Sequence, residues 1–379
     1  MIIQALSRAI NNKMRLRKTY IVEDVTVTTT GTKVYDLDFT DPVAAIYLGV
    51  TGTRFDSNDT SKPSLLPDID KIEIVDGSDV LYSTTGTEAG AVQLYHTGKM
   101  PFMAMTNVAV ASANFAQVKI LFGRDENDTE FALDCNKFTN PQLKISYSFA
   151  ESAGYWAAGT QRLTVIALVA EGAPAPRGFF MTKEMYTWTK ATSGDETIDM
   201  PRDYPYRFIV VQATDCATPV YAEFTQVKIS CNFDEFVPIN EKLEDTAHDN
   251  WNRYGMLVQQ VETIGDGADA TITAAYPFAW NWGGDVQSWG AGDVAAIVNV
   301  YSHYATVCRL VGTALTAGQR AIVTGQGWEL FDTEVIPFGN LKDETHWFDP
   351  KPWKSVRLIL TQAQTAVASA IVLQQVRYY

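Results

Sequence analysis

The chain has 379 residues, 46% of them hydrophobic and 20% charged, and a formal net charge of −14. That composition is globular rather than disordered, and the length suffices for two domains that each bury a core. The acidic balance excludes a body built to bind nucleic acid, which needs clustered Lys and Arg, and no run approaches the roughly eighteen apolar residues of a membrane span.

The first twenty residues, MIIQALSRAINNKMRLRKTY, differ from everything after them. They hold Arg8, Lys13, Arg15, Arg17 and Lys18 and no acidic residue. Ile3, Leu6, Ile10 and Met14 recur at helical spacing, which predicts a basic amphipathic helical arm over 1–21. Its charges follow a broken apolar stretch, whereas a secretory signal places them before a continuous one. Two roles are open to such an arm: contact with an anionic surface such as lipid headgroups, or packing on its own domain.

From residue 20 onward the pattern is strand after strand. DVTVTTTGTKVYDLDF, VAAIYLGVTGT, DKIEIVDG, AQVKILFG, PQLKISYSF and QRLTVIALVAE alternate or run apolar, with Gly, Pro, Asn and Asp between them. Helical spacing is convincing only around 88–96 and 241–254. No strand–helix–strand alternation repeats, so the expectation is antiparallel β rather than a parallel α/β sheet.

The chain then repeats itself. Gly31, Asp36, Leu37 and Pro42 are matched by Gly194, Asp199, Met200 and Pro205. DKIEIVDGSD (70–79) is echoed by QVKISCNFDE (226–235), and a helical piece follows each. Phe122, Gly123 and Thr129 recur as Phe338, Gly339 and Thr345. LKISYSF (143–149) returns as VRLILTQ (356–362), and LTVIALVAE (163–171) as AIVLQQVRY (370–378). Collinear blocks that include the glycines, prolines and helices point to duplication of one β-domain, with a period far longer than a propeller blade or solenoid repeat. The Pro/Gly segment EGAPAPRG (171–178) lies between the halves.

Each half has room for about eight strands, which fits a two-sheet jelly roll. The expected organisation is therefore all-β: an arm over 1–21, a first eight-stranded jelly roll over 22–172, a linker over 173–178 and a second jelly roll over 179–379. Short helices sit in loops. The second half carries a long insertion around 256–337, which contains YPFAWNWGGDVQSW (276–289).

Residue types that would carry catalysis or bind a metal are scattered. Cys135, Cys216, Cys231 and Cys308 include no CxxC pair, and His96, His248, His303 and His346 form no HExxH or HxH. GxSxG, P-loop and GxGxxG motifs are missing too. DENDTE (125–130) lacks the spacing and glycine of an EF-hand loop. No catalytic residue, metal or cofactor is expected. One rival reading takes Trp280, Trp282 and Trp289 as a sugar-stacking platform with Asp285 and Asp293 as acids, making a carbohydrate-binding β-sandwich or glycosidase. The other reading of those tryptophans is an exposed loop or a contact between subunits.

Two tandem jelly rolls, a short basic arm and the segment DKIEIVDGSDVLYSTTGTEAGAVQLYHTGKMP together resemble the double jelly-roll major capsid proteins of tectiviruses, corticoviruses and adenoviruses. The likeness is nearest to tailless, membrane-containing bacteriophages. This resemblance implies a non-enzymatic virion protein. Its homotrimers would be pseudo-hexagonal capsomers tiling an icosahedral shell assembled in the host cytoplasm. It further implies neighbouring capsomers, minor capsid and penton proteins, and inner-membrane lipids as partners, with Ile3, Leu6, Arg8, Ile10, Lys13, Arg15, Arg17 and Lys18 facing the membrane or capsid interior. A receptor-binding spike is a third alternative.

Overall fold

The computed structural model describes residues 14–53, 64–107, 113–149, 156–214, 218–264, 271–275, 277–279, 285–289, 295–302, 305–311 and 320–379. Nine strands make the first half: β1 (Arg15–Thr26), β2 (Thr30–Asp36), β3 (Val43–Thr53), β4 (Lys71–Asp76), β5 (Asp79–Thr84), β6 (Phe102–Asn107), β7 (Ala113–Leu121), β8 (Pro141–Ser148) and β9 (Arg162–Glu171). The second half begins with β10 (Gly178–Thr189), β11 (Gly194–Asp199), β12 (Tyr206–Ala213), β13 (Phe224–Cys231) and β14 (Phe236–Lys242). Then come β15 (Leu257–Ile264), β16 (Thr271–Ala275), β17 (Phe278–Ala279), β18 (Asp285–Trp289), β19 (Ala295–Ser302), β20 (Ala305–Val311) and β21 (Arg320–Leu330). It closes with β22 (Thr333–Pro337), β23 (Val356–Gln362) and β24 (Ala368–Tyr378). Three α-helices accompany them: α1 (Gly86–Thr97), α2 (Val220–Glu223) and α3 (Leu243–Tyr254).

Each half is a sandwich of two sheets with the same strand order. In the first, β1-β9-β3-β7 faces β2-β8-β4-β5; in the second, β10-β24-β12-β22 faces β11-β23-β13-β14. Every repeated block of sequence lands on the equivalent strand or in the connection beside it: Gly31 and Gly194 in β2 and β11, Phe122-Gly123 and Phe338-Gly339 just after β7 and β22, 143–149 and 356–362 on β8 and β23, 163–171 and 370–378 on β9 and β24. Alternation explains the inward faces. Ile46, Leu48 and Val50 of β3 pack with Ile72, Ile74, Leu143 and Ile145, and in the second half Ile209 and Val211 meet Val227, Ile229, Leu358 and Leu360.

The expected arm is corrected at its C-terminal end. Arg15, Arg17 and Lys18 lie in β1, paired with β9 from Arg15↔Glu171 to Thr26↔Arg162. Tertiary pairing outweighs helical spacing here: Leu16 packs beside Ala44, Ala45, Leu121 and Leu168, while Arg17 bonds Glu171. Ile3, Leu6, Arg8, Ile10 and Lys13 lie outside the described residues.

The long insertion is also β. Strand β15 pairs antiparallel with β21 and parallel with β6, extending a sheet of the first half into the second, and β16-β20-β19 forms a small separate sheet.

Candidate functional site

Register gives the double sandwich two distinct ends. At one lie the start of β1 with the end of β9, and the starts of β3 and β12 with the ends of β7 and β22. Segments 37–42, 77–78, 122–140 and 172–177 close this end in the first half, and 200–205, 232–235 and 338–355 in the second. Strand β10 pairs parallel with β5, so the same end faces the same way in both halves. The expected insertion 256–337 is shortened to 256–332, because Thr333–Pro337 forms β22 of the sandwich; it leaves from the opposite end, between α3 and β22. This places the basic start of β1 and the long insertion at opposite ends.

The seam between the halves is extensively tied. The β5–β10 pairing makes one eight-stranded sheet that crosses it. At the end where β1 begins, Phe131, Phe180 and Trp347 pack together, with ring centroids 5.3 to 5.9 Å apart. Arg207, 1% exposed, lies 3.8 Å from the Phe180 ring centroid, donates to Leu341 O and bonds Gln374. Burial pulls its pKa down to about 9, which leaves it charged at neutral pH. From β24, Arg377 holds Asp79 at 2.8 and 2.6 Å, and the Tyr379 hydroxyl accepts from Asp134 N and donates to Ala132 O.

Three buried carboxyls are strongly perturbed among the described residues. Burial, and Glu184 beside it, push Glu88 up to about 8. Glu334 is pushed up to about 7 by burial, although Asn250 and Val335 N donate to it. Burial also raises Glu329, whose Oε2 accepts from Val220 N at 2.9 Å. Glu329 and Glu334 line a cavity of about 20 Å³ with Tyr95, Trp251 and Trp328, room for one water and no substrate. These acids sit in the seam, where sequence offered no motif to find them.

DENDTE is an arginine-tied turn. Arg124 reaches Asp128 at 2.7 and 2.8 Å and also bonds Glu130, while the Asp125 carboxylate accepts from Asn127 N. Among the described residues no three His, Cys, Asp or Glu side chains are placed to hold a metal. Cys135 and Cys231 are buried free thiols, the first pushed up to about 12 by burial. Of the tryptophan platform, Trp289 lies in β18 opposite Arg320, and Asp285 opposite Thr324. Trp280, Trp282 and Asp293 lie outside the described residues.

No protein-family model matches the sequence, and no curated protein matches it. Solved structures do match. The crystal structure of the major capsid protein P2 from bacteriophage PM2 covers 96% of this chain and 98% of its own, with TM-score 0.56 and 11% identity. The STIV MCP covers 96% of each chain with TM-score 0.57 and 12% identity. A quasi-atomic model of the PBCV-1 virus capsid covers 96% of this chain and 94% of its own, with TM-score 0.54 and 10% identity. The chain is a double jelly roll. At such identities the likeness extends to the fold, and it spans both units.

Proposed function

We propose that this double jelly roll is a viral major capsid protein, a homotrimer that tiles an icosahedral shell around an internal lipid membrane. The observation that carries the reading is the duplication itself. Two sandwiches of the same strand order stand side by side, facing the same way, and three such chains supply six similar units around one axis. One chain can then fill a near-hexagonal lattice position, with many modest contacts that assemble reversibly. Similarity to capsid proteins of three viruses over 96% of the chain supports it. Neighbouring capsomers, minor capsid and penton proteins and membrane lipids are the partners, the virion its location, and the host cytoplasm its place of assembly. The end where β1 begins faces inward together with the arm, and the insertion end faces outward. The organisation proposed is an arm followed by two jelly rolls joined through 173–178, with Trp280, Trp282 and Trp289 at an exposed loop or subunit contact.

Native mass spectrometry of the purified chain at micromolar concentration tests the trimer. The expected species has about three times the 41.9 kDa chain mass and persists in reducing agent. Monomers and dimers alone would refute the proposal.

A further inference from the structure

Helices α1 and α3 occupy equivalent places in the two units, and they differ in what lies against their far side. Each has twelve residues and leads into a glycine at positive φ, Gly98 at 71° and Gly255 at 73°. Each buries the same positions: Gly86, Ala89, Gly90 and Gln93 in α1 answer to Leu243, Thr246, Ala247 and Asn250 in α3, although Gly90 also lies under Phe331 of the second unit. Even the polar anchor is shared. Gln93 accepts from Lys119 N of β7, and Asn250 donates to Val335 O of β22, the strand equivalent to β7.

The other face of α1 is buried as well. Ala91, Val92, Tyr95 and His96 are covered by the second unit, where the Tyr95 hydroxyl donates to Thr333 O and His96 lies against Phe180. Val92 and Tyr95 share one buried apolar cluster with Phe208, Val210 and Val372 on the outer face of β10-β24-β12-β22. The matching face of α3, with His248, Asp249, Asn252 and Arg253, is exposed. Among the described residues no helix covers the outer face of β1-β9-β3-β7, equivalent to the sheet that receives α1, although Ala45, Leu121 and Leu168 on it are buried. Tyr20 there is 53% exposed, and Tyr47 and Ile166 are half-buried.

We infer that α3 docks on the outer face of β1-β9-β3-β7 of a second copy of this chain, reproducing between chains the contact that α1 makes within one. This rests on the trimer reading and specifies which surfaces close it. Chemistry suits the assignment. The permanent contact of α1 is apolar, as in a domain core, whereas the face of α3 is polar, as in an interface between separately folded chains. Asp245 and Asp249 are exposed on that helix, while the receiving face carries Lys18 and Lys119 around the Tyr47 ring, their ammonium groups 5.4 and 5.2 Å from its centroid. Glu126 pairs with Lys119 there and takes up part of that charge. Because helix and sheet are different surfaces, the contact is head-to-tail, and three copies close a ring.

Two variants of the full chain test this. Asp249→Arg with Asn252→Arg alters only the helix face, and Thr164→Arg with Ile166→Arg only the receiving sheet. All four side chains lie outside the cores, so circular dichroism should show both variants folded. By native mass spectrometry each alone is expected to be monomeric under conditions where the unaltered chain is trimeric. Mixed in equal amounts they should form one-to-one dimers and no trimer, since each keeps the surface the other lacks. Persistence of trimers in either folded variant, or trimers restored on mixing, overturns this assignment while leaving the trimer reading intact. An unaltered chain that is itself monomeric removes that reading, and this one with it. Zero-length carbodiimide coupling of the unaltered trimer is an independent check: interchain joins should link residues 243–254 to Lys18 or Lys119, and joins confined to other surfaces would count against it.

Discussion

Removing Lys190 from the second unit should be far more damaging than removing a surface lysine. Its ammonium lies 2.6 Å from the Glu223 carboxylate, with both side chains fully buried, and it also bonds Ala363 O. Glu223 in turn takes the Thr218 hydroxyl and Thr365 N. One ion pair therefore holds three loops at the insertion end: the β10–β11 turn, the segment containing α2 and the β23–β24 loop. Replacing Lys190 by Met strands a carboxylate away from water, a loss of about 3–5 kcal/mol. For a unit of this size that lowers the melting temperature by roughly 6–20 °C. Glu223→Leu should cost a similar amount. The double variant should recover more than half of either loss, because no charge remains buried, although Thr365 N and Ala363 O lose a partner. Thermal and urea unfolding of the three variants measures the cycle, with a coupling energy of about 2 kcal/mol or more expected. Single losses below about 1 kcal/mol that simply add would show that water reaches the pair and that the reasoning is wrong.

Other outcomes follow from the seam, the repeated Phe-Gly and the arm. Glu88 and Glu334 hold their protons more tightly folded than unfolded. The stability this contributes is complete below about pH 4.5 and is lost as pH rises through about 7 for Glu334 and about 8 for Glu88. Glu334→Gln should flatten the fall in urea stability between pH 5 and 8 by about 2–3 kcal/mol, and an unchanged slope would place the titrating group elsewhere. A Cβ on Gly123 would lie 2.3 Å from Phe131 O, and one on Gly339, at φ 62°, 2.8 Å from the His346 Cβ. Either change to Ala should cost about 1–3 kcal/mol in chemical denaturation, and free substitution at both would remove packing as the reason for the repeat. Charge reversal at Arg8 and Lys13 should leave the trimer folded and weaken flotation with anionic vesicles in a salt-dependent way; equal flotation at low salt would assign the arm to a protein contact.

The fold was legible because the duplication preserved punctuation as well as hydrophobicity. Gly31 and Gly194, or Phe122-Gly123 and Phe338-Gly339, mark the same strand ends, and no alternating pattern alone would have aligned them. The arm misled because Leu16 and Lys18 also satisfy a period of two once β9 is beside them, and local spacing cannot weigh a strand some 150 residues away. The partnership of β6 with β15 was hidden for the same reason. Arg207 and the Lys190–Glu223 pair left no trace, since a charged residue reads as solvent-facing until the distant segments that bury it, such as Leu341, Ala363 and Gln374, are seen beside it. Tyr206–Ala213 is informative in retrospect. The first half's equivalent, VAAIYLGVTGT, already runs apolar, but only β12 is buried along its whole length, because α1 lies against its outer side.

The seam also has a bearing on synthesis. Its staples, Arg377 to Asp79 and Tyr379 to Asp134, come from β24 and just beyond it, about two hundred residues after the first jelly roll has left the ribosome. At roughly 5–20 residues per second that is some 10–40 s. Through that interval the first unit has its own core but not its neighbour, so the edge of β5 and the apolar side of α1 stand open to other nascent chains. In a cell making many copies at once, the speed with which β10 reaches that edge decides between a finished subunit and an aggregate.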